Sequence, residues 1–237
     1  MRPTTEHDDL GLATRLSELE ADVRYQEAGE PESGYAAGRL PVLLSAPHGA
    51  VHTRNGLPKE EDEYTAAFVR LVAELTGAHA LYARRRSAQD PNWDVTAAYK
   101  DRLAEVVRRS AVHFVLDLHG AAEDKPFGLA LGTMHGHSCP VQRQLILDAL
   151  RRAGYSEQGQ GLSRLDVDHT FAAAGNGTIT RFASTVLQVP AAQLEINARL
   201  RVVERRPDAS LRQPLRSDPA GIAHLVRTLA ALVRALV

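Results

Sequence analysis

The chain is short of several things, and each shortage excludes something. It has one cysteine, Cys139, in 237 residues. No intramolecular disulfide can form, which fits a reducing compartment. Aromatic residues are only 5% of the total, too few to suggest a surface that stacks bases. Neither sign of charge dominates. The 28 Lys and Arg against 29 Asp and Glu leave a formal net charge of −1, so no strong field steers the chain toward nucleic acid or an anionic membrane. Long apolar runs are missing too: none approaches the ~18 residues of a spanning helix. The opening MRPTTEHDDLGLATRLSELE has no apolar stretch of the kind that directs secretion. The expectation is a cytoplasmic protein that binds neither nucleic acid nor membrane.

What is present is an alternation of short apolar runs and amphipathic segments. Apolar residues make up 44% of the chain, and no Pro-, Ser- or Gly-rich tract reads as a linker. One catalytic domain over residues 1–237 is expected. Residues 1–20 are polar and read as either mobile or helical. RLPVLLSAPHG (39–49) has the length and branching of a buried strand. EEDEYTAAFVRLVAELTG (60–77) reads as a helix with an acidic first turn and an apolar face of Phe68, Leu71, Val72 and Leu75. AHALYAR, VHFVLDLHG, GLALGTMHG and the stretch 193–197 read as further strands. VTAAYKDRLAEVVRRS, PVQRQLILDALRRAG and DPAGIAHLVRTLAALVRAL read as helices. Strands alternating with helices of ~15 residues predict α/β layering around a mostly parallel sheet. In such sheets the polar residues at strand carboxyl ends line the site.

Three strand ends carry unusual polar residues: Pro47-His48-Gly49, Asp117-Leu118-His119-Gly120 and Gln193-Leu194-Glu195-Ile196-Asn197. Glu60-Glu61-Asp62-Glu63 supplies an acidic cluster close to the first. Two imidazoles and a carboxylate at one edge of a sheet suit a catalytic zinc, which takes three protein ligands and leaves one position open. The glycines after His48 and His119 are read as letting the backbone turn away and leaving room beside the metal. Plainer readings exist for each residue. A strand-end His is commonly structural, an acidic cluster commonly answers a helix dipole, and Arg181 in GNGTITR is either a surface cation or a fork for a carboxylate. Asp117 either orients a ligand imidazole or bonds to backbone. Glu195 is less easily dismissed, because a carboxylate between Leu194 and Ile196 needs a partner if buried. His135, His137 and His169 read as structural or peripheral, with His169 the nearest to a site. Neither a G-x-S-x-G motif nor a His positioned for Cys139 points to a Ser or Cys hydrolase.

Taken in order, PHG, the acidic stretch, DPN, DLHG, GTITR and QLEIN span roughly Leu40 to Arg199. The ordered set resembles the N-formylglutamate amidohydrolase family, which is similar in fold to zinc carboxypeptidases. The resemblance implies a three-layer α/β/α fold with a mixed, mostly parallel sheet and one Zn2+ per chain. It implies hydrolysis of the amide of an N-acyl amino acid such as N-formyl-L-glutamate, a small acidic substrate. By the same motifs His48, His119 and an acid, Asp62 with Glu61 as the alternative and Glu63 after it, would hold the metal. Glu195 would be the general base, Arg181 would clamp a substrate carboxylate, and Asp90 and Asn92 would shape the site wall. Trp93 departs from the Arg that many members carry there, and the Arg run at 84–86 is a candidate to compensate. Rival readings are a carboxypeptidase-like or γ-glutamyl hydrolase at the same zinc, and a non-catalytic binding module. The apolar C-terminal helix at 222–237 is expected to pack on the body or on a second copy in a homo-oligomer.

Overall fold

The structure is a computed structural model describing residues 5–209 and 212–237, so the first four residues of the polar N-terminal stretch lie outside it. The chain begins with helix Thr5–Ala21 (α1), strands Arg24–Ala28 (β1), Ser33–Ala36 (β2) and Val42–Ala46 (β3), and a hairpin of His52–Arg54 (β4) and Leu57–Lys59 (β5). Helix Thr65–Thr76 (α2), strands His79–Ala83 (β6) and Arg85–Arg86 (β7), helix Ala98–Arg109 (α3) and strands Phe114–Ala121 (β8) and Leu129–Gly132 (β9) follow. Helix Gln142–Arg152 (α4), strand Leu165–Val167 (β10), a short helix Ile179–Arg181 (α5), strand Ala191–Asn197 (β11) and helices Ala198–Arg201 (α6) and Pro219–Ala235 (α7) complete it.

Seven strands form one sheet in the order β10-β9-β11-β8-β3-β6-β2. β11, β8, β3 and β6 run parallel, while β9 is antiparallel to β11 and β2 to β6. The sheet is therefore mixed and mostly parallel, with helices on both faces. Side-chain alternation sorts the central strands. Leu44, Leu116, Leu118, Leu194 and Ile196 face a core shared with Leu16, Phe68, Ile146 and Leu229 of α1, α2, α4 and α7. Leu43, Val115 and Ala191 face the opposite way, against Tyr99, Leu103 and Val106 of α3 and Ile179.

Along this second face the residues change character toward the strand carboxyl ends. Ser45, Asp117 and Gln193 lie side by side in register, and His119 and Glu195 form the next pair. Tyr99 marks the boundary: its hydroxyl donates to the Leu81 carbonyl at 2.8 Å and lies 3.0 Å from Ser45 Oγ.

Several boundaries differ from the sequence reading. α2 starts at Thr65, so the acidic residues 60–63 precede the helix rather than forming its first turn. Tyr64 has φ 65°, which breaks helical geometry just before Thr65. The strand expected over 128–136 ends at Gly132, since Met134 and His135 take positive φ. The polar N-terminal stretch is helical, because Ala13, Leu16 and Leu19 give it one buried stripe. α7 packs within the chain, against α1, α2 and α4. The short strands β1, β2, β4, β5, β7 and β10 carry too little apolar alternation to be read from sequence.

α1 also holds the entrance to α2. Glu20, 1% exposed, accepts hydrogen bonds from Tyr64 N at 2.6 Å and from the Tyr25 hydroxyl. Burial outweighs these bonds and pushes its carboxyl up to about 7. Between pH 4.5 and about 7 the folded protein keeps a proton that the unfolded chain has released, so stability falls as pH rises through that window. Glu20→Gln should remove this slope. Thermal unfolding from pH 5 to 8 should show the variant gaining on wild type by a few degrees as pH rises, at ~2–4 °C per kcal/mol for a chain of this size. A difference that does not change with pH would contradict the assignment.

Candidate metal centre and active site

Three elements bring three side chains to one point. His48 lies on the turn after β3, Asp62 on the turn before α2, and His119 near the end of β8. The Asp62 amide donates to the His48 carbonyl at 2.7 Å, tying the first two turns together. Asp62 Oδ2 is 3.4 Å from His48 Nδ1 and 3.3 Å from His119 Nδ1, and the two Nδ1 atoms are 3.2 Å apart. A tetrahedral zinc with ligand bonds of ~2.0–2.1 Å needs donors ~3.3 Å apart. The triangle has that edge, and its two nitrogens and one oxygen are a zinc donor set.

The far side of each imidazole is held by a buried carboxylate. His48 Nε2 is 2.8 Å from Asp90 Oδ1, and His119 Nε2 is 2.8 Å from Asp117 Oδ2. Such partners orient a ligand imidazole, leaving Nδ1 for the cation. The local field favours positive charge at the triangle. Burial acts to raise Asp62, yet the His119 and His48 bonds outweigh it and hold the carboxyl well below the usual range. Burial acts to lower His119, yet Asp117 and Asp62 lift it well above its ordinary value. Glu61 does not join the cluster: both its carboxylate oxygens are buried without a hydrogen-bond partner among the described residues. Glu63 is paired instead with Arg205 and Arg212.

Glu195 stands directly across from His119 in the β8–β11 register. Its Oε1 accepts from Gln193 Nε2 at 2.9 Å. Gln193 Oε1 lies 3.4 Å from Asn92 Nδ2, and Asn92 Oδ1 accepts from Ile179 N at 2.8 Å. Burial pushes the Glu195 carboxyl up to about 7, within the range of a group that exchanges protons near neutrality. His48, Asp62, His119, Asn92, Gln193 and Glu195 all line one open cavity of about 780 Å³.

The opposite wall of the cavity is residues 170–178, a run of Ala, Gly and Thr around Phe171 and Asn176. Cations fasten it from behind. Lys100 donates to the Gly177 carbonyl at 2.6 Å. Arg181 Nη2 donates to the Ala174 carbonyl at 2.8 Å. Arg181 thus props the wall and does not line the cavity, unlike the clamp expected of it. Gly177 is needed for close packing, since a Cβ there would fall 1.8 Å from the Trp93 carbonyl oxygen.

Asp90 lies behind His48, fully buried, rather than on the wall; Asn92 does line it. Gly120 remains within β8 instead of turning the chain. Its missing Cβ makes room for the buried guanidinium of Arg201, whose Nη2 would be 2.3 Å away. Arg84 and Arg85 border a separate cavity, so the Arg run does not reach this one. His169 is exposed, with its ring near Asp166, and neither it, His135 nor His137 lines the cavity. Sequence reading missed His52, whose ring stacks on His48 at 3.9 Å, and Arg54, which lines the cavity. The spacing His48-x-x-x-His52 was the only signal for the first.

No family model matches the chain, and neither does any curated protein. Solved structures do. N-formylglutamate amidohydrolase from Ralstonia eutropha JMP134 aligns at a TM-score of 0.56 and 16% identity, over 86% of this chain and 97% of that one. The gene product Atu2144 from Agrobacterium tumefaciens aligns at 0.54 and 14%, over 90% and 98%. A metallo-carboxypeptidase from Pseudomonas aeruginosa aligns at 0.51 and 14%, over 99% and 70%. At these identities the likeness establishes the fold: the chain has the architecture of an amidohydrolase and of metallo-carboxypeptidases, as its ordered motifs led one to expect.

The geometry makes the acidic ligand testable. Elemental analysis after dialysis should find about one zinc per chain in wild type, as a three-ligand site requires. Asp62→Asn and His119→Ala should lose it, and Glu61→Gln should retain it. Asp117→Asn should weaken zinc affinity about 10- to 100-fold. Retention in Asp62→Asn with loss in Glu61→Gln would move the third ligand to Glu61.

Proposed function

We propose that the protein is a zinc-dependent amidohydrolase that cleaves the amide of an N-acylated acidic amino acid, with N-formyl-L-glutamate as the type substrate. The observation that carries this reading is the His48–Asp62–His119 triangle with tetrahedral zinc edges, faced by the buried Glu195 carboxylate. His48, Asp62 and His119 would hold the zinc, which when bound would supply Lewis acidity for a scissile carbonyl and bring the acidity of water toward neutrality.

The chain's own groups do the rest. Gln193 engages Glu195 Oε1 and leaves Oε2 to accept a proton from the attacking water. Glu195 then returns that proton to the departing amine nitrogen, acting first as base and then as acid. Asn92 holds Gln193 in place and so orients the base indirectly. Asp90 and Asp117 keep the two imidazoles facing inward.

One observation favours a second reading, a carboxypeptidase-like or γ-glutamyl hydrolase at the same residues. The cavity, at about 780 Å³, is in the upper part of the ~300–1,000 Å³ range of sites for drug-sized ligands, more than a formyl group occupies. A panel of N-formyl, longer N-acyl and γ-linked glutamates separates the two.

Glu195→Gln should retain zinc and lose about 10²- to 10⁴-fold in kcat on whichever amide the panel selects. Full activity in a zinc-loaded Glu195→Gln protein would remove Glu195 from the mechanism.

A further inference from the structure

The main cavity is lined by one arginine that is partly free. Arg54 leaves the hairpin strand β4, is 32% exposed at its side chain, and makes a single hydrogen bond among the described residues. That bond runs from Nε to Asp90 Oδ2 at 2.6 Å. Both terminal nitrogens are without a protein partner among the described residues. One face of the guanidinium is covered by the Trp93 ring, 5.0 Å from centroid to Cζ. Trp93 is itself fixed by an Nε1 hydrogen bond to Asn55 Oδ1 at 3.3 Å.

A guanidinium anchored at Nε and stacked on an indole has lost most of its rotamer freedom before any ligand arrives. It presents a planar two-donor edge, the geometry that pairs with a carboxylate. Preorganisation of this kind lowers the entropic cost of binding.

We propose that Arg54, held on Trp93, is the substrate-carboxylate receptor of this site, in the role that Arg181 does not fill. The assignment rests on the amidohydrolase reading above. It gives Trp93 a function: the indole is a platform that aims a guanidinium contributed by another element. Asp90 links the two parts of the site. One of its oxygens holds His48 and the other holds Arg54, so the receptor and the metal centre share a rigid support. Lys125, which also lines the cavity, adds positive charge without a fork.

The test compares N-formyl-L-glutamate with the two analogues in which one carboxyl is converted to an amide. In wild type, amidation of one carboxyl should lower kcat/KM about 10- to 100-fold, the size of a lost charge-assisted pair. In Arg54→Ala that penalty should shrink below about threefold, and Arg54→Lys should fall between, keeping charge without the fork. Trp93→Ala should also reduce it. A penalty unchanged in Arg54→Ala, or absent in wild type, overturns the proposal. If wild type hydrolyses nothing in the panel, the amidohydrolase reading fails separately. Calorimetric titration of L-glutamate then decides Arg54: weaker binding in Arg54→Ala than in wild type supports the receptor, and equal or absent binding in both overturns it.

Discussion

The site depends on the register of one strand. β8 lies between β3 and β11, pairing Asp117 with Ser45 and Gln193, and His119 with Glu195. Because side chains alternate, a slip of one residue would turn Asp117 and His119 into the apolar layer and bring Leu116 and Leu118 out of it. Leucines filling one face therefore hold the polar residues on the other. The same strand is a core element at its amino end and a site element at its carboxyl end. The change happens within the span from Val115 to Asp117, where Tyr99 closes off the core.

Burying so many charges together is costly unless they are matched. Asp62, Asp90, Asp117, His48 and His119 are matched in a definite order, with a carboxylate behind each imidazole and a shared carboxylate between the two inner nitrogens. Against burial, the hydrogen bonds and charges within that order lift His48 and His119 and depress Asp62. Arg201 lies against Gly120 with Nε and Nη1 unpartnered among the described residues, a further buried charge near the acidic groups. Burial works against its charge, and Asp62 and Glu63 support it.

Much of this could be read from the chain. His-Gly after one apolar run, Asp-x-His-Gly ending another and Glu between two apolar residues each mark a strand whose pattern breaks at its carboxyl end. That pattern break is local, so the residue order alone shows it. The third member of the triangle was harder, because the four acidic residues 60–63 are alike in sequence and differ in where the turn before α2 places each one. Tyr64, with its positive φ, sets that aim. His52 and Arg54 lie on a short hairpin with little apolar alternation, so their approach to His48 and Asp90 is a tertiary event. Arg181 shows the converse: a suggestive motif brings the residue near the site, but its guanidinium bonds to the Ala174 carbonyl and does not line the cavity.

The wall at 170–178 is built largely of residues with little or no side chain, and its shape comes from backbone fastened by Lys100 and Arg181. Capacity there is set by absent atoms. One wall beside the triangle and Glu195 is therefore set by a stretch of chain that carries neither. The triangle with Glu195 and this wall of the cavity thus lie on different stretches of chain. The first sit on β8, β11 and the turns after β3 and before α2, the second on the loop between β10 and α5. A change confined to that loop would recast the mould while leaving in place the groups it surrounds.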